Sequence, residues 1–188
     1  MTLAHEIPPA VHPLPAVLTA IPVVATERLS LRAPTLADFP CLLEINQSVK
    51  ETARSGARSR TRSFQDFAQM TATWIWRGHG WWAVDDDSGV VGFVGLGFEA
   101  GDICPELAYL MHPRARGKGY ATEAASAARD YAREVLRLPD LISYVSEANT
   151  ASQNVVAKLG ARRDAHAEAE VGEPGVQVWR HLPAVEVH

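Results

Sequence analysis

The stretch "HPRARGKGYATEAA", residues 112–125, decides how the chain is read. Glycines at 117 and 119 sit among Arg114, Arg116 and Lys118, and an alanine-rich run follows at once. Glycine accepts left-handed backbone conformations, so this spacing lets successive N–H groups turn into one concavity. A helix beginning at Gly119 adds its own free N–H groups and the positive end of its dipole. Ala121 is small enough for backbone and ligand to approach closely. Together these features suit a diphosphate. The stretch has no Gly-Lys-Ser/Thr ending and lacks the third glycine of the dinucleotide fingerprint. An ordinary turn with solvated cations is the competing reading of the same residues.

The surroundings alternate strands and helices. Upstream, "DICPELAYLMH" reads as a strand with Glu106 charged inside an apolar-leaning run. Before it, "GWWAVDDDSGVVGFVGLGFEA" reads as a hairpin turning at residues 86–89. The chain's first strand is "TERLSLRAP", and Thr35 or Asp38 caps a short helix with Leu42, Leu43 and Ile45 on one side. "FQDFAQMTATWIWRG" spaces Phe64, Phe67, Met70 or Thr71, and Trp74 helically. Downstream, a helix over 119–136 places Ala121, Ala124, Ala128, Tyr131 and Val135 on its packing face. "LISYVSEAN" is a strand, and "TASQNVVAKLG" a helix closed by Gly160. The end reads as two strands, 161–168 and 175–182, around the acidic turn "EAEVGEPG". The order β-α-α-β-β-β-α-β-α-β-β describes a mixed α/β sheet in one domain.

Bulk properties narrow the function classes. At 188 residues the chain fits one domain with a substantial core. A net charge of −4 gives no footprint for nucleic acid or an anionic membrane. Cys41 and Cys104 are far apart and in no metal-ligand spacing, which is read as two buried free thiols in a reducing compartment and no metal site. Residues 1–24 are apolar, but Pro8, Pro9, Pro13, Pro15 and Pro22 interrupt any helix and no basic segment precedes them. They are read as an N-terminal extension before a domain over 25–183 and a tail over 184–188, in a cytoplasmic protein.

"ELAYLMHPRARGKGYATEAASAARDYA", followed some twenty residues later by "NTASQNVVAKLGA", closely resembles the GCN5-related N-acetyltransferase (GNAT) superfamily. It is most similar to the branch with the ribosomal-protein N-terminal acetyltransferases, to which "TERLSLRAPTLADF" is also similar. The resemblance implies one sheet of about seven mostly antiparallel strands, splayed between the fourth and fifth. It implies acetyl-CoA as co-substrate, no metal, and transfer of acetyl to a primary amine, either a protein N-terminus or a small molecule, in a ternary complex. Homodimers are frequent in the family.

Residue by residue, the resemblance assigns pantetheine contacts to the strand ending Leu110, Met111 and His112. Arg114, Ala115, Arg116, Gly117, Lys118, Gly119, Tyr120 and Ala121 surround the diphosphate, with the main-chain N–H groups gripping and the cations shaping the field. Asn149 and Asn154 reach the cofactor, and Ser152 faces the sulfur. Glu106 stands where the branch carries a base, and burial raises such a carboxyl toward a useful range. Pairing to backbone or an arginine is its purely structural alternative. Where many relatives place an acid tyrosine this chain has Val156, leaving Ser152 as the replacement; where they place an aromatic it has Ala161, which implies looser packing. Those two departures admit an alternative: a non-catalytic acyl-CoA-binding regulatory module.

The remaining features read blandly. Trp74, Trp76, Trp81 and Trp82 favour core over an acceptor wall, and His79 and His112 lack metal spacing. Cys104 is read as an inert thiol rather than an acyl relay. Lys50, Arg54, Arg58, Arg60 and Arg62 read as a basic loop, either solvated, paired with Glu168, Glu170 and Glu173, or bordering the acceptor site.

Overall fold

The computed structural model describes residues 20–48 and 59–182. The expectations for residues 1–19, for Lys50, Arg54 and Arg58, and for the tail beyond 182 lie outside them. The elements are β1 (Val24–Ala25), β2 (Ser30–Arg32), α1 (Phe39–Ser48), α2 (Arg60–Arg77), β3 (Trp81–Asp86), β4 (Gly89–Gly97), β5 (Glu106–Met111), α3 (Tyr120–Glu134), β6 (Leu141–Ser146), α4 (Thr150–Lys158), β7 (Arg162–Arg163), α5 (Ala165–Val171) and β8 (Val176–Leu182). One sheet of eight strands runs in the order β1-β2-β3-β4-β5-β6-β8-β7. Every pairing is antiparallel except β5 with β6.

The sheet and helices grow from local signals. The β3–β4 hairpin turns on Asp87 and Ser88, with Asp86 Oδ1 accepting from the Ser88 N–H and hydroxyl. Thr35 and Asp38 form a capping box ahead of α1. Phe39, Phe67 and Phe93 meet edge-to-face, so α1 and α2 cover one side of the sheet. On the other side α3 buries Ala124, Ala125, Ala128 and Ala132, small side chains that let the helix lie close to β4 and β5. Trp74 and Trp82 pack at 4.8 Å in the same core, and Ile21 is buried in it too. The packed body therefore takes in residues ahead of β1.

Several expectations need correction. The strand expected over 161–168 shrinks to the two-residue β7, and the two-residue β1, which carries no alternation to read, joins the seven expected strands to make eight among the described residues. The first half of the "EAEVGEPG" turn is instead helix: Asp164 caps α5 through the N–H groups of His166 and Ala167, and Gly172 closes it with φ 64°. Residues 59–62 are not loop, since Ser59 accepts from the Arg62 N–H and caps α2 one turn earlier than its apolar spacing indicates. Glu168 pairs with Arg163 rather than with that segment. Val135 is 61% exposed, because α3 ends at Glu134 and Ala132 takes its place in the core. Phe64 packs against Phe39 but stays largely exposed.

Candidate active site

β5 and β6 are in register at a single pair, Glu106 opposite Ile142, with the Ile142 N–H donating to the Pro105 carbonyl. Beyond it the two strands part. The resulting cleft, of about 760 Å³, is walled by Tyr109, Leu110 and Met111 of β5, Ser146 of β6, the start of α3, and Asn149, Ala151, Ser152, Asn154, Val155 and Lys158 along α4. Ile45 and Ser48 of α1 close one side.

Strand alternation decides which backbone groups face the opening. The His112 N–H donates to the Val91 carbonyl, so Leu110 and His112 spend their main-chain groups on β4. The N–H and C=O of Tyr109 and Met111 then point to the parted edge. At the cleft's far end a 3-10 turn, Pro113–Ala115, leads into Gly117 and Gly119, with φ of 76° and 82°. Gly119 caps α3 with no side-chain hydrogen bond, so the N–H groups of the first turn are left free for a ligand.

Glu123, one turn in, accepts from Thr26 Oγ1, the Arg28 N–H and Arg28 Nε, and Arg28 also bonds the Lys118 carbonyl. This clamp fixes the helix start from below.

The Acetyltransferase (GNAT) domain model matches residues 28–162, well over half of the chain. The chain belongs to the GNAT acetyltransferase family. A crystal structure of an acetyltransferase from Agrobacterium tumefaciens is 34% identical at a TM-score of 0.80, covering 87% of this chain and 96% of that one. RimL, a ribosomal alpha-N-protein acetyltransferase solved in complex with coenzyme A, shares the fold at 14% identity and a TM-score of 0.66, over 88% and 100% of the two chains. The uncharacterized N-acetyltransferase YnaD of Bacillus subtilis is 29% identical over 79 residues, 42% of this chain and 46% of that protein. The match to this curated relative thus spans less than half its length.

Of the residues the family resemblance singled out, Leu110, Met111, Ala115, Arg116, Gly117, Gly119, Tyr120, Ala121, Asn149, Ser152 and Asn154 line the cleft. His112, Arg114 and Lys118 do not. His112 accepts from the Arg114 N–H and pairs with Glu44 at 2.8 Å. Arg114 reaches back to Ser88 and the Val90 carbonyl, and Lys118 lies 5.7 Å from the Tyr120 ring centroid. Arg116, held by Ser48, is the one of these three cations on the cleft wall.

Glu106 is not on that wall but at its apex, on the face of β5 opposite Tyr109. Its carboxylate lies near Gly97 and the Trp81 indole. Burial, with Asp102 and Glu99 nearby, pushes it up to about 7 against the pull of the Tyr144 backbone N–H.

Two details were not read from the sequence. Tyr109, between Glu106 and the glycine loop, donates its phenolic O–H to the Ser152 carbonyl at 3.1 Å. Val156 is fully buried with Val145 and Ala161 against Trp179. The valine thus faces the core, so it leaves no gap in the cleft. Ala161 is packed too, with Trp179 of β8 supplying an aromatic ring there.

Proposed function

We propose that this protein is an acetyl-CoA-dependent N-acetyltransferase that acylates a primary amine, either a protein N-terminus or a small molecule, in a ternary complex. The observation that carries the reading is the parting of β5 from β6 beside the start of α3, whose Gly119 cap offers no side-chain hydrogen bond. The N–H groups over 117–121 suit a diphosphate, those of Ala115 and Arg116 being spent on the preceding turn, and the exposed edge at Tyr109 and Met111 suits an amide-bearing arm. Coenzyme A bound to RimL supports the same use of the fold.

Glu106 is the base. A carboxylate poised near 7 can take the ammonium proton as the nitrogen bonds to the acetyl carbon. The carbon–sulfur bond then breaks with its electrons on sulfur, and the nitrogen's second proton passes to the thiolate or to water as the amide forms. The open-edge N–H of Tyr109 or Met111 is the donor available to the oxyanion. Ser152, on the cleft wall, is the hydroxyl that stabilises the leaving thiolate by hydrogen bonding, while the Tyr109 phenol, whose proton goes to the Ser152 carbonyl, holds that turn in place.

The test is thermal protection by coenzyme A followed by thiol release across amine and peptide acceptors. Protection with turnover is expected. Protection without turnover on any acceptor supports the binding-module alternative, and no protection overturns both.

A further inference from the structure

In a parallel ladder, Glu106 opposite Ile142 is followed by a rung from the Tyr144 N–H to the Leu107 carbonyl. That rung is not made. The Leu107 carbonyl instead accepts from the Ser143 hydroxyl at 2.5 Å, and the Tyr144 N–H faces the Glu106 carboxylate. The carbonyl half of the missing rung is thus taken by a side chain at the point where the sheet opens, and the N–H half is left facing a carboxylate.

The hydroxyl is itself held. Ser143 Oγ lies 2.8 Å from His181 Nε2. Its proton is committed to Leu107, so Nε2 must be the donor and the ring is neutral with a bare Nδ1. That Nδ1 is buried and without a partner among the described residues. Burial and the nearby Arg129 charge keep the imidazole well below its ordinary range, at about 4. The backbone explains why the ring points here. Leu141 pairs with Leu182 and Ile142 with Arg180, which leaves His181 as the extra residue of a bulge in β8. Bulges re-aim side chains in this way.

We propose that Ser143 and His181 are positioning residues of the cleft: their hydrogen-bonded pair caps the Leu107 carbonyl in place of the next rung, and so sets where β5 and β6 part. The consequence for cofactor binding rests on the acetyl-CoA reading above; the strand geometry does not. Without the hydroxyl, the buried Leu107 carbonyl has the Tyr144 N–H as its nearest replacement donor. The sheet then zips by one rung, and the Tyr109–Met111 edge shifts under its ligand.

The test is Ser143→Ala, with His181→Leu and His181→Gln as companions, since glutamine retains a donor. In ligand-free protein, the Tyr144 amide should exchange more slowly in Ser143→Ala and His181→Leu, and near the wild-type rate in His181→Gln. In turnover, the acetyl-CoA KM should rise about tenfold in the first two, the scale of a sub-ångström misplacement, with the acceptor KM unchanged. Should Ser143→Ala fail to fold, His181→Leu carries the same readouts. Unchanged Tyr144 exchange overturns the proposal, as does a loss of melting temperature with cofactor affinity intact. Wild-type protein that fails to bind coenzyme A, while Tyr144 exchange still slows in the variants, overturns the acetyl-CoA reading and leaves the strand clip standing.

Discussion

The phenol of Tyr109 donates to the carbonyl of Ser152, joining β5 to the first turn of α4 across the two walls of the cleft. Burial pushes that phenol up to about 12, so it stays protonated through any working pH and serves as a hydrogen-bond donor. Tyr109→Phe leaves the Ser152 carbonyl without this donor, a loss of about 1 kcal/mol, or roughly 2–4 °C in melting temperature for a chain of this size. Turnover should fall by about tenfold while the shape of the pH–rate profile stays the same. A lost or displaced pH limb would show instead that Tyr109 titrates during the reaction.

Gly119→Ala tests the glycine turn. The position has φ 82°, and an added Cβ would stand 3.4 Å from Arg28 Nη2. Left-handed backbone costs a non-glycine residue about 1–2 kcal/mol, so the turn should relax and carry the first N–H groups of α3 with it. Calorimetric titration with coenzyme A should show weakened binding, with the acceptor KM unmoved. Equal affinity in the variant and the wild type would take the α3 start out of ligand binding.

The parts of this architecture that were legible in the sequence are those written in neighbouring residues. Gly117 and Gly119 before an alanine-rich run announce the turn and the helix, and Asp86–Gly89 announces the hairpin. Asp164 and Gly172 bracket α5 with equally local signals, but the acidic charge between them masks a run of helix-forming alanine and glutamate. The inward direction of Val156 depends on Val145 and Trp179, which approach from other strands. The Ser143–His181 pair depends on a one-residue bulge between β6 and β8. The family resemblance places the opening between β5 and β6, but no local pattern encodes a bulge partner some forty residues away, so the rung at which they part is not readable from the chain alone.

Neither cysteine is placed to carry an acyl group. Burial pushes the Cys41 thiol up to about 11, and burial with Asp140 nearby pushes Cys104 up to about 12. The thiolate is the reactive form, so iodoacetamide at neutral pH should label neither residue in the folded protein and both after unfolding, as read by intact mass. Rapid labelling of Cys104 in native protein would reopen an acyl-cysteine route.

On the proposed mechanism, Glu106 ties activity and stability to the same titration. Its carboxyl moves from an ordinary 4.5 to about 7 in the fold, chiefly through burial and then Asp102. A base must be ionised, so turnover should rise with pH through about 7 and level off above it. Stability runs the other way. Between the ordinary value and the raised one the folded state binds the extra proton, so stability falls as pH increases through that window. Glu106→Gln removes the charge but keeps an oxygen for the Tyr144 N–H. It should abolish the activity limb, cut turnover by about 10²–10⁴-fold and leave coenzyme A affinity intact. At pH 4 its stability should match the wild type, and at pH 8 it should exceed it by on the order of 2–3 kcal/mol. Denaturant titrations at the two pH values measure that crossover. A variant that keeps full turnover and a pH-independent stability difference would reduce Glu106 to a partner for backbone and remove it from the chemistry.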